Sequence, residues 1–342
     1  MTFSNSFRPN RRAVLAAGIG AAAFGLGGRP AFAAESLPIT TAFGWISNVE
    51  FAGFWIALDK GYFAAEGVDS KFLPGGPNAP DALVTLVAGS ADVASPDWLP
   101  FLEAVDKGND LVILGASWAK SPAALLSLAK RPMREPKDLV GGKFLIQSPN
   151  NRQIIDTVLT KAGLPLEYET VPTGFSPEPL LNGDGDGYFC FATNQPITLE
   201  KMGMVRDKDF FVTLWDDLGF KVVQGYIVVK REFLEKHRPQ VVGYLKALIK
   251  GWKDNAADPS LAVRLVTENY GADLGLDPAQ QLRQNELQIP LIAANGPNKL
   301  LWFDTALVSG TMTDVAKISG RTVPALSKIV DLGPLDEALK AS

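Results

Sequence analysis

The sequence predicts an α/β fold of two lobes that face each other across a central cleft and are joined by a hinge the chain crosses twice. Three observations carry this expectation. From residue 37 onward short apolar strand-like runs alternate with helix-like runs, the pattern of mostly parallel sheets covered by helices on both faces. A stretch rich in proline and charge, Arg131 to Gly142, interrupts the alternation, and Phe144–Gln147 restarts it. The chain then returns through Val222–Val229 to a helical tail beginning near Pro239. There Val241, Val242, Tyr244, Leu245, Leu248, Ile249 and Trp252 share one helix face. The expected division is a discontinuous first lobe, 34–130 with 226–342, and a second lobe, 131–225.

Each element follows from local chemistry. Leu37–Phe43 reads as a strand, and the apolar run after Glu50 as a helix to about Lys60. A further turn, Tyr62–Glu66, stops at Gly67, a residue free to take the positive φ of a helix C-cap. Val68–Leu73 is a strand, Asp81–Ala88 a helix ended by Gly89, and Ala91–Ala94 a short buried strand. Ser95-Pro96-Asp97 opens a helix carrying Trp98, Phe101 and Leu102; Asp110–Ala116 and Ala123–Ala129 are apolar strands. In the second lobe Ser148-Pro149-Asn150 opens a helix to about Ala162. Strands Tyr168–Val171, Tyr188–Ala192 and Phe211–Trp215 follow, with a short helix at Pro177–Leu181. No fixed-period repeat and no low-complexity linker interrupts this order.

Residues 1–33 read as an export signal. Arg8, Arg11 and Arg12 precede an apolar Ala/Gly-rich run to about Gly28, and Ala31-Phe32-Ala33 offers a cleavage site. The run is shorter than the roughly 20 residues a transmembrane helix needs. Arg11-Arg12 fits a twin-arginine signal in part and an ordinary Sec signal equally well. No cysteine near the cleavage site is available for lipidation, and the sole cysteine, Cys190, has no intrachain disulfide partner. The expected location is therefore the periplasm, without stable membrane insertion. Of 33 basic residues, Arg8, Arg11, Arg12 and Arg29 leave with the signal, so 29 remain against 37 acids, a net of −8. That balance argues against nucleic acid as a partner.

The stretch from Gly44 to Gly67 carries the functional reading. It places Trp45, Asn48 and Glu50 at the C-terminal end of a strand, where open α/β sheets bind ligands. The pattern Trp45-x-x-Asn48-x-Glu50-x-Ala52-Gly53, leading into Ala57-x-x-x-Gly61-Tyr62-Phe63-x-x-Glu66-Gly67, resembles the periplasmic solute-binding proteins of ABC importers. The similarity is to the group that takes thiamine-pyrimidine precursors, riboflavin, nitrate, taurine and alkanesulfonates. Gly89-Ser90-Ala91-Asp92-Val93-Ala94, Asp138-Leu139-Val140-Gly141-Gly142-Lys143 and Val228-Val229-Lys230-Arg231-Glu232-Phe233-Leu234 continue it in order. The resemblance implies a type II periplasmic-binding fold, a monomer, and a membrane permease partner with a separate cytoplasmic ATPase. Trp-x-x-Asn resembles most the branch that binds nitrogen heterocycles, in which the aromatic stacks on the ring. Phe51 departs from the histidine that pyrimidine-precursor binders commonly carry there, and riboflavin binders are closer at that point.

The residues support that outline. A flat ligand stacking on Trp45, and on Trp98, gains about 0.5–1.5 kcal/mol per aromatic contact beyond area burial. Glu50 suits N–H donors of an aminopyrimidine or ring imide, with Asn48 fixing orientation; Ser47-x-x-Glu50 is also a capping box, which gives Glu50 a competing structural role. The openings at Ser95-Pro96-Asp97 and Ser148-Pro149-Asn150 are ordinary caps that, if both face the cleft, aim backbone N–H groups at a ligand carbonyl or anion from opposite lobes, with Asn151 and Arg152 within reach. That keeps a sulfonate or carboxylate ligand open, and Asp97 and Ser148 join the candidate set. Asn194 and Gln195 follow a second-lobe strand and offer both donors and acceptors. Trp215, Asp216 and Tyr226, near strand ends, complete the candidate set.

Other signals carry less. Asn182-Gly183-Asp184-Gly185-Asp186-Gly187 copies the start of a calcium loop, but Thr193 occupies its twelfth position, so a glycine-rich turn is expected. His237 is expected at a solvated helix end. One histidine and one cysteine provide neither a zinc set nor a Ser-His-Asp triad, so no cofactor, metal or enzymatic activity is expected. Two rivals stand beside the heterocycle binder. One is an alkanesulfonate, taurine or nitrate binder, which calls for a cationic cleft. The other is an enzyme like the thiamine-pyrimidine synthases that share the fold; these use a lysine, a histidine and a cysteine-rich motif.

Overall fold

The computed structural model describes residues 36–341, so the leader read at 1–33 lies outside the described residues. Ten strands build two five-stranded sheets. In chain order they are β1 (Leu37–Ala42), β2 (Val68–Leu73), β3 (Val93–Ala94), β4 (Leu111–Trp118), β5 (Ala123–Leu128), β6 (Gly142–Ile146), β7 (Tyr168–Pro172), β8 (Gly187–Phe191), β9 (Phe210–Leu214) and β10 (Gln224–Lys230). The first sheet has the order β2-β1-β3-β10-β4 and the second β7-β6-β8-β5-β9. β1 runs parallel to β2 and β3, and β6 parallel to β7 and β8. One strand in each sheet runs the other way: β10 is antiparallel to β3 and β4, and β5 to β8 and β9.

This pairing corrects the first expected lobe boundary. Ala123–Ala129 was assigned to the first lobe, but β5 exchanges its hydrogen bonds with β8 and β9 in the second sheet. The first crossing therefore lies between Trp118 and Ala123, and the second between Leu214 and Gln224. The break at Arg131–Gly142 is a loop inside the second lobe, with a 3-10 turn at Pro136–Leu139. Because β5 and β10 are antiparallel to their neighbours, their first residues lie at the edge where parallel strands end. Both crossings thus meet at the floor of the cleft, where Ser121 Oγ donates to Gln224 Oε1 at 2.6 Å.

The helices used below are α1 (Ala52–Asp59), α2 (Tyr62–Ala65), α3 (Ala82–Val87), α4 (Trp98–Asp106), α5 (Asn151–Lys161), α6 (Glu178–Asn182), α7 (Gln195–Lys201), α8 (Arg231–Ala257), α9 (Ser260–Leu265) and α10 (Pro278–Ile292). β4, LVILGASW, is buried along nearly its whole length, as expected of a strand covered on both faces. The first-lobe core joins α1 and α8 to the sheet through Phe54, Trp55, Leu245, Ile249 and Trp252. Two glycines permit the close crossing of α1 and α8: a Cβ on Gly251 would stand 1.9 Å from the Gly53 carbonyl oxygen, and one on Gly53 would stand 2.5 Å from the Trp252 ring. The second lobe packs Phe144, Ile155, Leu159, Phe189 and Trp215 on one face of its sheet, and Tyr188, Leu199 and Phe210 on the other.

Three local expectations change. α8 begins at Arg231 rather than near Pro239, and His237 sits at a kink inside it (φ −128°), with its ring 5.1 Å from Phe233. The helix openings fall later than the Ser-Pro pairs suggest: Asp97 and Asn150 occupy the N-cap positions, and neither makes a side-chain cap bond. In the Asn182–Gly187 turn, Asp186 accepts from Arg131 at 2.6 Å and from the Lys143 backbone N–H at 2.9 Å, so this carboxylate is taken up within the fold.

Candidate functional site

A cavity of about 590 Å³ opens between the sheets. Its walls come from the C-terminal ends of β1, β3, β4, β6, β7 and β8 and from the two crossings. This is where ligands seat in open α/β sheets, because chain direction changes there and leaves a crevice.

On the first-lobe side Phe43 stacks on Phe51 (centroids 4.1 Å, planes at 27°), and Trp45 stands half-buried beyond them. The Trp45 ring reaches across the mouth to Phe175 of the second lobe, 5.0 Å away and edge-on at 62°. The backbone turn carrying Trp45 is pinned because Gly75 N–H donates to the Trp45 carbonyl at 2.9 Å. Trp98 is buried; it borders the cavity, donates Nε1–H to the Met312 carbonyl at 2.9 Å and stacks on Phe101.

Asn48 has a different place from the one expected. It is buried and does not line the cavity. Its Oδ1 accepts from the Glu50 backbone N–H at 2.9 Å, capping the 3-10 turn Val49–Phe51, while its carbonyl accepts the Trp55 indole N–H at 2.8 Å. Asn48 thus supplies the cap that the Ser47–Glu50 spacing suggested. The Glu50 side chain is left facing the cavity, where no hydrogen bond or ion pair from the described residues reaches its carboxylate. Burial, and then the Asp97 charge, push its pKa up to about 7. Asp97 also presents its side chain to the cavity. Crowding by the surrounding protein, and then the Asp81 charge, shift its pKa upward from the ordinary value, although the residue as a whole is exposed to the open cleft. Asp81 is committed elsewhere, accepting from Leu83 and Val84 N–H groups as the cap of α3.

Glu50 is held from behind. The neighbouring Val49 donates its N–H to Gln281 Oε1 at 3.1 Å and accepts at its carbonyl from Gln288 Nε2 at 2.6 Å. Both glutamines lie on α10, and Gln288 also donates to Asn285 Oδ1, which is tied in turn to Asn255 of α8. This buried polar network fixes the turn without using the Glu50 carboxylate.

From the second lobe, Asn151, Asn194 and Gln195 line the cavity. Asn151 Oδ1 accepts from Gln147 and Ser148 N–H, Gln195 Oε1 accepts from Phe191 N–H at 2.8 Å, and Asn194 Oδ1 accepts from Gln280 Nε2 at 3.4 Å. Besides Asn48, four candidates stand off the cavity. Ser148 turns its Oγ to the Asn150 N–H. Trp215 lies behind the wall, stacked on Phe189 at 4.6 Å. Asp216 pairs with Lys120 across the hinge at 3.6 Å. Tyr226 is fully buried, its hydroxyl against the Met312 sulfur, because β10 turns Gln224 and Gly225 to the cavity and Tyr226 into the core. Sequence reasoning missed Phe43, Trp118, Gln147, Phe175, Phe189 and Gln224 as lining residues. Phe175 did leave a signal, a lone aromatic in the Gly174–Pro177 loop just after a strand.

Among the described residues no lysine, arginine or histidine lines the cavity, while Glu50, Asp81 and Asp97 do. Its chemistry is aromatic and anionic, with neutral amides on the second-lobe side.

Residues 48–262 match the family described as NMT1/THI5 like. The chain belongs to the NMT1/THI5-like family. Among curated family relatives, a formylaminopyrimidine-binding protein of Halalkalibacterium halodurans is 24% identical over 74% of this chain and 77% of its own. The riboflavin-binding protein RibY of Chloroflexus aurantiacus is 24% identical over 73% of this chain and 72% of its own. Among solved structures, the periplasmic nitrate-binding protein NrtA of Synechocystis PCC 6803 superposes with a TM-score of 0.63 at 13% identity, covering 90% of this chain and 89% of that one. The periplasmic-binding-protein fold expected from the sequence is therefore the fold of the chain.

Proposed function

We propose that this protein is the solute-binding component of an ABC import system and that its cleft captures a small, flat nitrogen heterocycle. It acts in the periplasm, as a monomer, delivering the solute to a membrane permease driven by a separate ATPase. The observation that carries this reading is the cavity: aromatic faces from both lobes, unpaired carboxylates on one side, and amides of Gln147, Asn194 and Gln195 on the other. Rings stack on such walls while N–H groups meet acceptors at the edge. The names of the two curated relatives, one for a formylaminopyrimidine and one for riboflavin, accord with it.

The anion-binding alternative calls for positive charge at the ligand. Among the described residues no lysine, arginine or histidine lines the walls, and bringing a sulfonate or nitrate beside Glu50 and Asp97 sets like charges together. The enzymatic alternative calls for a lysine and a histidine, and among the described residues neither type lines the cleft.

Native mass spectrometry of the purified protein, followed by thermal shift with aminopyrimidines, riboflavin, taurine and nitrate, tests the proposal. A heterocycle present at a hundredfold excess over its Kd raises stability by about 2.7 kcal/mol. Stabilisation by taurine or nitrate alone would overturn the heterocycle reading and leave the importer role standing.

A further inference from the structure

We propose that the cleft selects its solute by positive charge, admitting a small flat nitrogen compound whose cationic amino or amidinium group sits between the carboxylates of Glu50 and Asp97. The inference rests on the solute-binding reading above and narrows it to a charge class.

Four observations converge. The Glu50 carboxylate lies half-buried in the cavity with no hydrogen bond or ion pair from the described residues. An unpaired charge in such a place is costly, and a complementary charge brought by a ligand relieves the cost. Second, the turn carrying Glu50 does not use that carboxylate. Asn48 caps the turn, and Gln281 and Gln288 clamp Val49, so Glu50 is held in position without a partner. Third, the charges near Glu50 share its sign: Asp97 acts on Glu50, and Asp81 on Asp97. Fourth, the faces of the surrounding aromatic rings, Trp45 and Phe175 among them, attract cations through their quadrupoles. A neutral ring gains stacking and N–H hydrogen bonds from this arrangement; a cation gains these and the attraction of opposite charge.

The titratable groups facing Glu50 and Asp97 come from several elements. They are Asp81 at the start of α3, Tyr226 of β10 behind Asp97, and Cys190 of β8 in the opposite wall. Tyr226 and Cys190 are both pushed up by burial and remain neutral across the working range. The pH dependence of cation binding therefore belongs to the two carboxylates. Protons compete with a cationic ligand for Glu50, and affinity rises from pH 5.5 to 7.5.

A matched pair of pyrimidines tests this. 4-Amino-5-aminomethyl-2-methylpyrimidine and its 5-hydroxymethyl counterpart share ring and size and differ in the charge of the arm. Calorimetry at pH 7.5 is expected to give the aminomethyl compound at least tenfold tighter binding. Glu50→Gln and Asp97→Asn should each erase most of that preference while their unliganded unfolding midpoints stay at or above the parent's. Equal or tighter binding of the hydroxymethyl compound, or a preference that survives in both variants, would overturn selection by charge. Binding of riboflavin or the hydroxymethyl compound without any charge preference would do so while leaving the heterocycle reading intact. If neither pyrimidine nor riboflavin binds, both inferences fall.

Discussion

Glu50 shows what the site asks of a single side chain. Its folded pKa of about 7 lies above its ordinary 4.5, so between these values the folded state holds the proton more tightly than the unfolded chain. The stability it contributes is complete below about pH 4.5 and is lost as pH rises through 7. Unliganded Glu50→Gln should therefore gain stability over the parent at pH 8 and little or none at pH 5. Urea unfolding at the two pH values measures the difference, and an identical gain at both would remove the burial argument. Trp45 makes the complementary prediction. It is half-buried at the mouth and meets the Phe175 ring at a steep angle. Trp45→Ala should thus weaken solute binding at least tenfold by calorimetry while leaving the unfolding midpoint nearly unchanged. Both residues were legible in the sequence because they follow a strand end in a polar turn. Tyr226 and Trp215 were not, because strand ends alone do not say which face a side chain takes. Tyr226 points into the core, and Trp215 supports Phe189 from behind.

At the scale of elements, α10 links the core to the site. Gln281, Asn285 and Gln288 form a polar stripe on a helix whose neighbouring positions pack against apolar core. From sequence such a stripe reads as a solvated face; only the fold shows that it closes on Val49 and Asn255. Gln288→Ala removes the donor to the Val49 carbonyl and leaves that buried oxygen without it, a loss of about 1–3 kcal/mol. The same change should loosen the turn carrying Glu50, so affinity should fall along with stability. Urea titration and calorimetry read the two effects separately, and a stable variant with parental stability would show the clamp to be dispensable. The parallel character of β1–β3 and β6–β8 was legible, because alternating β and α units impose it. β5 was misplaced because nothing in Ala123–Leu128 itself distinguishes a strand that has already crossed the hinge.

For the whole molecule, ion pairs bridge the two lobes on both flanks of the cleft. On one flank Lys201 of α7 pairs with Asp277 at the start of α10 at 2.5 Å, and Glu200 pairs with Arg283 at 3.2 Å. On the other, Lys161 of α5 reaches Asp314 at 3.4 Å. Each pair joins the second lobe to the first, so separating the lobes breaks it, whereas the Ser121–Gln224 bond at the hinge lies where the lobes stay joined. Surface pairs of this kind are worth about 0–1 kcal/mol each. In a binder that closes about its hinge, such energy enters the open–closed equilibrium, and a ligand that needs the closed form feels it as apparent affinity. Lys201→Ala combined with Arg283→Ala should therefore weaken solute binding about twofold to tenfold at low salt, consistent with two such pairs. The difference should shrink toward zero near 1 M salt, where the screening length falls to about 3 Å. Small-angle scattering of the unliganded variant should show a larger radius of gyration than the parent at low salt. A salt-independent loss would place the two side chains in the binding surface instead, and an unchanged affinity at every salt concentration would mean that the aromatic contact between Trp45 and Phe175 and the ligand itself, not the rim charges, set closure.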